Sequence, residues 1–513
     1  MRTTTRASSI IWRCLAAFIS VLLTLGVAAA AGHPAAEASA DDYAGTDRLF
    51  EDFHLAAHIP GLVYGVVADG RLVHVRTYGV QDLGEQRPVT PDSLFRIASM
   101  TKAFTALTVL GLRDEGGLRL DAPAADYVPE LRKWQYPTAD SAPIRVRDLL
   151  NHVGGLVTDD PWGDRQTSLP EDEFTALLEH GVNFTRAPGM AYEYSNLGYA
   201  LLGRIITNVS GTPYADTIEA RLLRPLGMAS SGFDIGKSPQ ERRALGYRWE
   251  ENELRPEPPL AHGAFGAMGG MQTSANDYAK WVAFLLSAWP PRDGEDAGPV
   301  RRATVRELAQ GSNFPRIGRR YAPNGTEGSL QALNYGMGLQ VRIDSDLGFT
   351  LSHSGGYPGY GSHMLLLPDR GIGIFAFANR TYKAPTVPVW QAALLLERAG
   401  LLGMGHAVPV SDALAVGYRA AGAIYAAADV NVAADRLAMN FLMDRDAALR
   451  ARDIRAVREQ AGDCDTSVPI AATGALSGTF AWRCEHGRVS GSLLLAPTRP
   501  SGIQELVLEA VNP

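Results

Sequence analysis

The chain has 513 residues, 46% hydrophobic and 20% charged, with 48 Lys+Arg against 55 Asp+Glu and a net charge of -7. That apolar content excludes an extended disordered chain, and the mild acidity argues against a nucleic-acid binder, which shows a basic surplus. The length suits two or more domains with substantial cores.

Residues 1–40 read as an export signal. Arg2, Arg6 and Arg13 accompany the apolar run CLAAFISVLLTLGVAAAA, and Ala38-Ser39-Ala40 offers small residues for cleavage. The alternative is an uncleaved anchor, because the run is about long enough to span a bilayer. Either way the body is expected outside the cytoplasm, periplasmic or secreted, and no later segment is apolar enough to span.

GLVYGVVADGRLVHVRTYGV predicts two strands joined at Asp69-Gly70. Long apolar residues without proline predict a buried helix from Thr101 to Arg113, ended by Gly116-Gly117. Between about 120 and 310 the pattern is mostly helical, with VRDLLNHVGGL, LGYALLGRIITNVSG and ANDYAKWVAFLLSAW carrying apolar residues at helical spacing. After about 335, YGMGLQVRI, GFTLSHSGG, GSHMLLLPDR and GIGIFAFANR read as strands, with a turn at PDRG. Strands first and last with helices between predict an α+β domain over 41–400: an antiparallel sheet flanked by helices, carrying an inserted helical lobe. Ala-rich helices and then three strands predict a small C-terminal α+β domain over 401–513. Cys464 and Cys484, the two cysteines left after Cys14 departs with the signal, suit a disulfide in an exported protein.

Chemistry concentrates in three places. The chain has only five lysines, yet Ser99 and Lys102 stand three apart at a helix start, where chance alone gives roughly 0.3 S-x-x-K matches. Residues at i and i+3 share a helix face. The helix N-terminus favours negative charge on the serine oxygen. Apolar neighbours such as Ala98, Ala103 and Phe104 depress the lysine pKa, so that it can take the serine proton. A helix cap with a snorkelling lysine is the structural alternative. Tyr194-Ser195-Asn196 supplies a tyrosine able to act as acid/base if the lysine lowers its pKa, and an asparagine that donates to a substrate carbonyl or holds the lysine; taken alone, the motif equally reads as a loop tyrosine before a helix-capping Ser or Asn. His353-Ser354-Gly355-Gly356 ends a strand. Its glycines would let substrate lie against the edge, the Gly356 N–H would pair with that of Ser99 as an oxyanion hole, and His353 would orient a substrate carboxylate or support Tyr194; an ordinary Gly-rich turn is the structural alternative. His152 reads as a buried structural histidine. No G-x-S-x-G or H-E-x-x-H occurs.

S-x-x-K, then Y-S-N, then H-S-G-G resembles the β-lactamase-related serine hydrolases, in the branch holding class C β-lactamases, D,D-peptidases and esterases. LFRIASMTKAFTAL, LDAPAADYVPEL, VRDLLNHVGGL, YSNLGYALLGRII, LLRPLGM and HSGGYPGYGSHMLLLPDRGIGIFAFANR carry the resemblance across about residues 45–395. It implies Ser99 as acylated nucleophile, Lys102 as proton acceptor and Tyr194 as the base that later activates water. It further implies Asn196, His353, Gly355 and Gly356 around the substrate, and neither metal nor organic cofactor. His353 stands where the β-lactamases carry lysine, and loss of that permanent charge weakens the hold on a β-lactam carboxylate. The expected activity is therefore an esterase or D-amino-acid-type peptidase on a small-molecule or peptide substrate of cell-wall type. A β-lactamase, a D,D-carboxypeptidase and a slowly deacylating penicillin-binding sensor are the alternatives. Asp159, Asp160 and Trp162 lie on a loop near the cleft, as substrate contacts or as a solvated loop.

Overall fold

The computed structural model describes residues 40–323, 326–403 and 407–511. The expected export segment, apart from Ala40, lies outside the described residues, as does Cys14. Contacts divide the chain at Pro409 and Val410.

The larger unit is organised by one sheet made from both ends of its chain. Helix α1 (Ala44–Ala56) leads into β1 (Gly61–Ala68), β2 (Arg71–Asp82) and short β3 (Arg87–Pro88). The remaining strands are β4 (Arg316–Arg319), β5 (Leu330–Tyr335), β6 (Gln340–Asp344), β7 (Gly348–Tyr357), β8 (Tyr360–Leu367) and β9 (Ile372–Ala378). Their order is β3-β2-β1-β9-β8-β7-β6-β5-β4, every neighbour antiparallel. β1 meets β9 with Tyr64 opposite Ala376, which joins the two sequence ends. Both faces of these central strands are covered, so they read as continuous apolar runs. Phe375 and Phe377 face the helical insert, whereas Ile374 and Ala376 face the layer holding Phe50 of α1 and Trp390 of a helix over Thr386–Arg398.

The insert carries α2 (Thr101–Asp114), α3 (Val146–Leu150), α4 (Asn196–Ser210) and α5 (Ala275–Leu286). Phe104 of α2 stacks on Trp281 of α5 with centroids 3.8 Å apart. Helix α4 starts at a capping serine, Ser195, whose Oγ accepts from Gly198 N at 3.2 Å, and stops at Gly211, whose φ of 69° suits a glycine. VRDLLNHVGGL does not continue as one helix: α3 ends at Leu150, and His152 takes a left-handed φ of 54°. A hairpin of Tyr247–Glu250 and Glu253–Pro256, with strands of only four residues, interrupts the helical stretch.

The C-terminal unit packs α6 (Asp412–Ala427) and α7 (Ala447–Ala461) with five strands: β10 (Cys464–Asp465), β11 (Ala471–Gly474), β12 (Ser477–Cys484), β13 (Gly487–Leu495) and β14 (Ile503–Val511). Its core holds Ile424, Tyr425, Phe480, Trp482 and Leu493. Cys464 lies opposite Cys484 across β10 and β12, and the two form a disulfide. Among the described residues no helix is long and apolar enough to cross a membrane.

Candidate active site

Ser99 sits in a single turn (Ala98–Met100) between the sheet and α2. Three contacts hold that turn. Phe95 pairs with Thr273, Ile97 N donates to Met271 O at 3.0 Å, and Ser362 Oγ of β8 donates to Ile97 O at 2.7 Å. Ala98 adopts φ 49°, a conformation that costs a non-glycine residue about 1 kcal/mol or more and that recurs at functional sites. Ser99 retains 7% exposure.

Lys102 lies one turn further and is wholly buried. Its Nζ donates to Ser99 Oγ at 3.1 Å, Asn196 Oδ1 at 2.7 Å and Met268 O at 2.8 Å, which uses all three ammonium hydrogens. Of the two roles open to Asn196, the geometry therefore displays the hold on lysine. Burial draws the Lys102 pKa down to about 8, against the opposing pull of Asp160, Asp164 and Asp159.

Tyr194 stands on the other side of the serine. The Ser99 side chain is close enough to act on its hydroxyl, and Lys102 Nζ lies 4.8 Å from its ring centroid. The ring is partly exposed, as a cleft residue must be, yet the surrounding protein raises the phenol pKa well above its usual value, with Asp160 adding to the rise. Desolvation is the largest cause of that rise. At neutral pH Tyr194 is a hydroxyl, able to relay a proton but not a phenolate base.

Strand β7 forms the opposite wall. A Cβ on Gly355 would lie 2.4 Å from Ile97 O and 3.0 Å from Ala98 Cβ, so the strand runs directly against the serine turn. A Cβ on Gly356 would meet the Tyr382 ring at 2.9 Å, which leaves its backbone bare beside that ring. His353 is buried and held at both nitrogens. Nδ1 bonds Ser354 O at 2.6 Å and Nε2 bonds Tyr335 OH at 3.0 Å. Burial, with Lys102 nearby, pulls its pKa down to about 3, so it is a neutral imidazole. Its ring centroid lies 6.3 Å from that of Tyr194, and with Ser354 O and Tyr335 OH on its two nitrogens it gives the tyrosine no hydrogen-bonding support.

The 159–164 loop is more than a solvated connection. Buried Asp159 accepts from Asn196 N at 2.6 Å and Leu197 N at 2.9 Å, which caps α4 and complements its dipole. Asp160 Oδ1 accepts from Asn196 Nδ2 at 3.0 Å, and Gly163 packs on Asn196, where a Cβ would approach to 2.8 Å. Trp162 is 45% exposed and packs edge-on against Phe265. Asp164, which the sequence reading passed over, is buried, and that burial raises its pKa. Met268 O and Tyr335 were also missed. A backbone carbonyl carries no sequence signal, and Tyr335 reaches His353 only through the β5–β6–β7 register.

Comparison with known proteins places this arrangement. The chain is 30% identical over 336 residues to Protein flp of Staphylococcus aureus (strain COL), covering 65% of this chain but only 62% of flp. It is 28% identical over 319 residues to the D-alanyl-D-alanine-carboxypeptidase/endopeptidase AmpH of Escherichia coli (strain K12), covering 62% of this chain and 78% of AmpH. The fold is shared with an octameric penicillin-binding protein homologue from Pyrococcus abyssi (TM-score 0.57, 21% identity, 89% of this chain and 96% of that one). It is shared too with a class C beta-lactamase (TM-score 0.55, 20% identity, 72% of this chain and 99% of that one). The Beta-lactamase family model matches residues 46–398, which contain the whole sheet and every site residue named above, and the chain belongs to that family.

Proposed function

We propose that the protein is an exported serine hydrolase that works through an acyl-enzyme on Ser99, with esters or D-amino-acid-type amides as substrates. The observation that carries this reading is the buried Lys102 Nζ, 3.1 Å from Ser99 Oγ. Lys102 as free base takes the Ser99 proton while Oγ bonds to the substrate carbonyl carbon. The carbonyl oxygen becomes an oxyanion facing the N–H groups of Ser99 and Gly356. The C–O or C–N bond then breaks, and the leaving group takes a proton relayed from Lys102 through the Tyr194 hydroxyl. Water, giving its proton along the same route, attacks the ester carbon and frees Ser99. Asn196 keeps Lys102 aligned throughout.

Two features favour esters and D-amino-acid amides over β-lactams. His353 is neutral, so no permanent cation from that strand position awaits a carboxylate. Asp159, Asp160 and Asp164 all act electrostatically on Lys102, which makes the surroundings of the catalytic pair acidic. Export rests on the Arg-flanked apolar leader and on the disulfide.

The test is a panel of p-nitrophenyl esters, D-amino-acid amides, D-Ala-D-Ala peptides and nitrocefin on the purified chain, with Ser99→Ala as control. Turnover of the first two classes, abolished by Ser99→Ala, supports the reading. Turnover of nitrocefin or D-Ala-D-Ala peptides alone reassigns the substrate, and labelling by a fluorophosphonate that survives Ser99→Ala refutes the site.

A further inference from the structure

Tyr194 occupies a stretch without regular secondary structure, immediately before α4. No helix or strand ladder fixes its backbone, yet its hydroxyl must meet Ser99. The Glu193 carboxylate accepts from Thr158 N at 3.1 Å and Thr185 Oγ1 at 2.9 Å, and one further residue grips the main chain on both sides of the tyrosine. Glu193 N donates to His152 O at 2.8 Å, and Ser195 N donates to His152 Nδ1 at 3.1 Å. The amide groups on both sides of Tyr194 therefore end on the same histidine. The His152 ring also lies against Tyr194, with centroids 4.4 Å apart and a tilt of 40°. Tyr335 at 4.5 Å and Tyr199 at 5.0 Å pack around the same imidazole.

The backbone of His152 makes this grip possible. Its left-handed φ of 54° follows directly on the end of α3 and aims carbonyl and ring at one segment. That conformation is rare outside glycine, asparagine and aspartate, and recurs where function requires it. Nδ1 must be unprotonated to accept from Ser195, so the neutral ring carries its proton on Nε2. That nitrogen is buried with no hydrogen-bonding partner, within the tyrosine cluster. The basic nitrogen is already engaged, which rules the ring out as a proton acceptor for the reaction.

We infer that His152 is a positioning residue: by holding the main chain on either side of Tyr194, it sets the tyrosine hydroxyl against Ser99. The inference rests on the proposed acyl-enzyme chemistry and adds a residue to it. A misplaced catalytic group costs on the order of 100-fold in rate, so His152→Ala is expected to lower kcat for a p-nitrophenyl ester by about that factor while KM stays within about threefold. Rates are referred to Ser99 sites titrated with a fluorophosphonate, which removes unfolded protein from the comparison. His152→Asn keeps an acceptor near the place of Nδ1 and tolerates the left-handed backbone, so it recovers about tenfold or more of the loss. His152→Gln, with its oxygen one bond too far, does not, and stands in for the alanine variant should that fail to fold.

The decisive readout is a double-mutant cycle with Tyr194→Phe. If His152 acts through Tyr194, the His152 substitution costs little once the hydroxyl is gone. Equal, additive losses with and without Tyr194, or equal impairment in the Asn and Ala variants, would overturn the inference. A wild-type protein whose Ser99 never reacts would instead sink the proposed function itself.

Discussion

Replacing Lys102 by arginine keeps a positive charge beside Ser99 and removes the capacity to accept a proton. Lys102 titrates at about 8 in the folded protein. At pH 7 roughly one molecule in ten therefore holds it as free base. An arginine, with a pKa above about 12, offers fewer than roughly one in 10⁵. General-base help is worth about 10²–10⁴ in rate, so acylation of Lys102→Arg should fall by about 10³ at pH 7. The assay is the pre-steady-state burst of p-nitrophenolate per titrated Ser99 between pH 5 and 10. The wild-type rate should climb with pH and bend near 8. A Lys102→Arg burst within tenfold of wild type would refute the proton-acceptor role, as would a wild-type bend at an ordinary lysine value. Lys102→Met serves as an uncharged companion closer in volume.

The same depressed value makes a stability statement. Lys102 titrates lower in the fold than in the unfolded chain, so the unfolded state binds more protons between the two values and stability rises with pH there. A shift from 10.5 to about 8 corresponds to about 3 kcal/mol. In urea titrations, the stability of wild type relative to Lys102→Met should improve by up to that amount between pH 7 and pH 10.5; a flat difference contradicts the burial argument. Gly355→Ala drives a Cβ to 2.2 Å from Ser362 Oγ and 2.4 Å from Ile97 O, so it should lower stability by about 1–3 kcal/mol and reduce the titre of reactive Ser99. An unchanged melt and titre would show that the strand is not pressed on the serine turn. Cys464→Ser opens a link between residues 20 apart and should destabilise the C-terminal unit by about 3 kcal/mol, read by denaturation with and without reductant. His353→Lys restores a cation on β7 and should raise the ratio of nitrocefin to ester acylation; a ratio unchanged or lower removes the argument from the neutral imidazole.

Much of the fold was readable because its signals are local. The Asp69-Gly70 turn and the apolar runs around it announce β1 and β2, and GIGIFAFA announces β9. Ser99 and Lys102 are separated by one helical turn, so their encounter follows from spacing alone. The environment of that pair was not readable. The Asp159 cap on Asn196 acts across 37 residues, and the Met268 carbonyl meets Lys102 across 166. The rise in the Tyr194 pKa was not readable for the same reason: an adjacent cation is visible as a motif, but the protein packed around a ring is not. His152 was rightly expected to be buried, yet its grip on Glu193 and Ser195 depends on a backbone angle that no periodicity reveals.

The pairing of β1 with β9 sets an order of events in the making of this protein. The turn bearing Ser99 is emitted early, but the strands that press on it, β7 and β8, and the one that joins them to β1, end only at Ala378. Until that residue is available the serine turn lacks its supporting wall, and β1 lacks its neighbour on that side. Such long-range closure folds slowly and makes partial chains prone to aberrant strand pairing. A growing chain therefore carries Ser99 long before the wall that supports it, and on the proposed chemistry acylating power would arrive late, as one event, when the sheet closes.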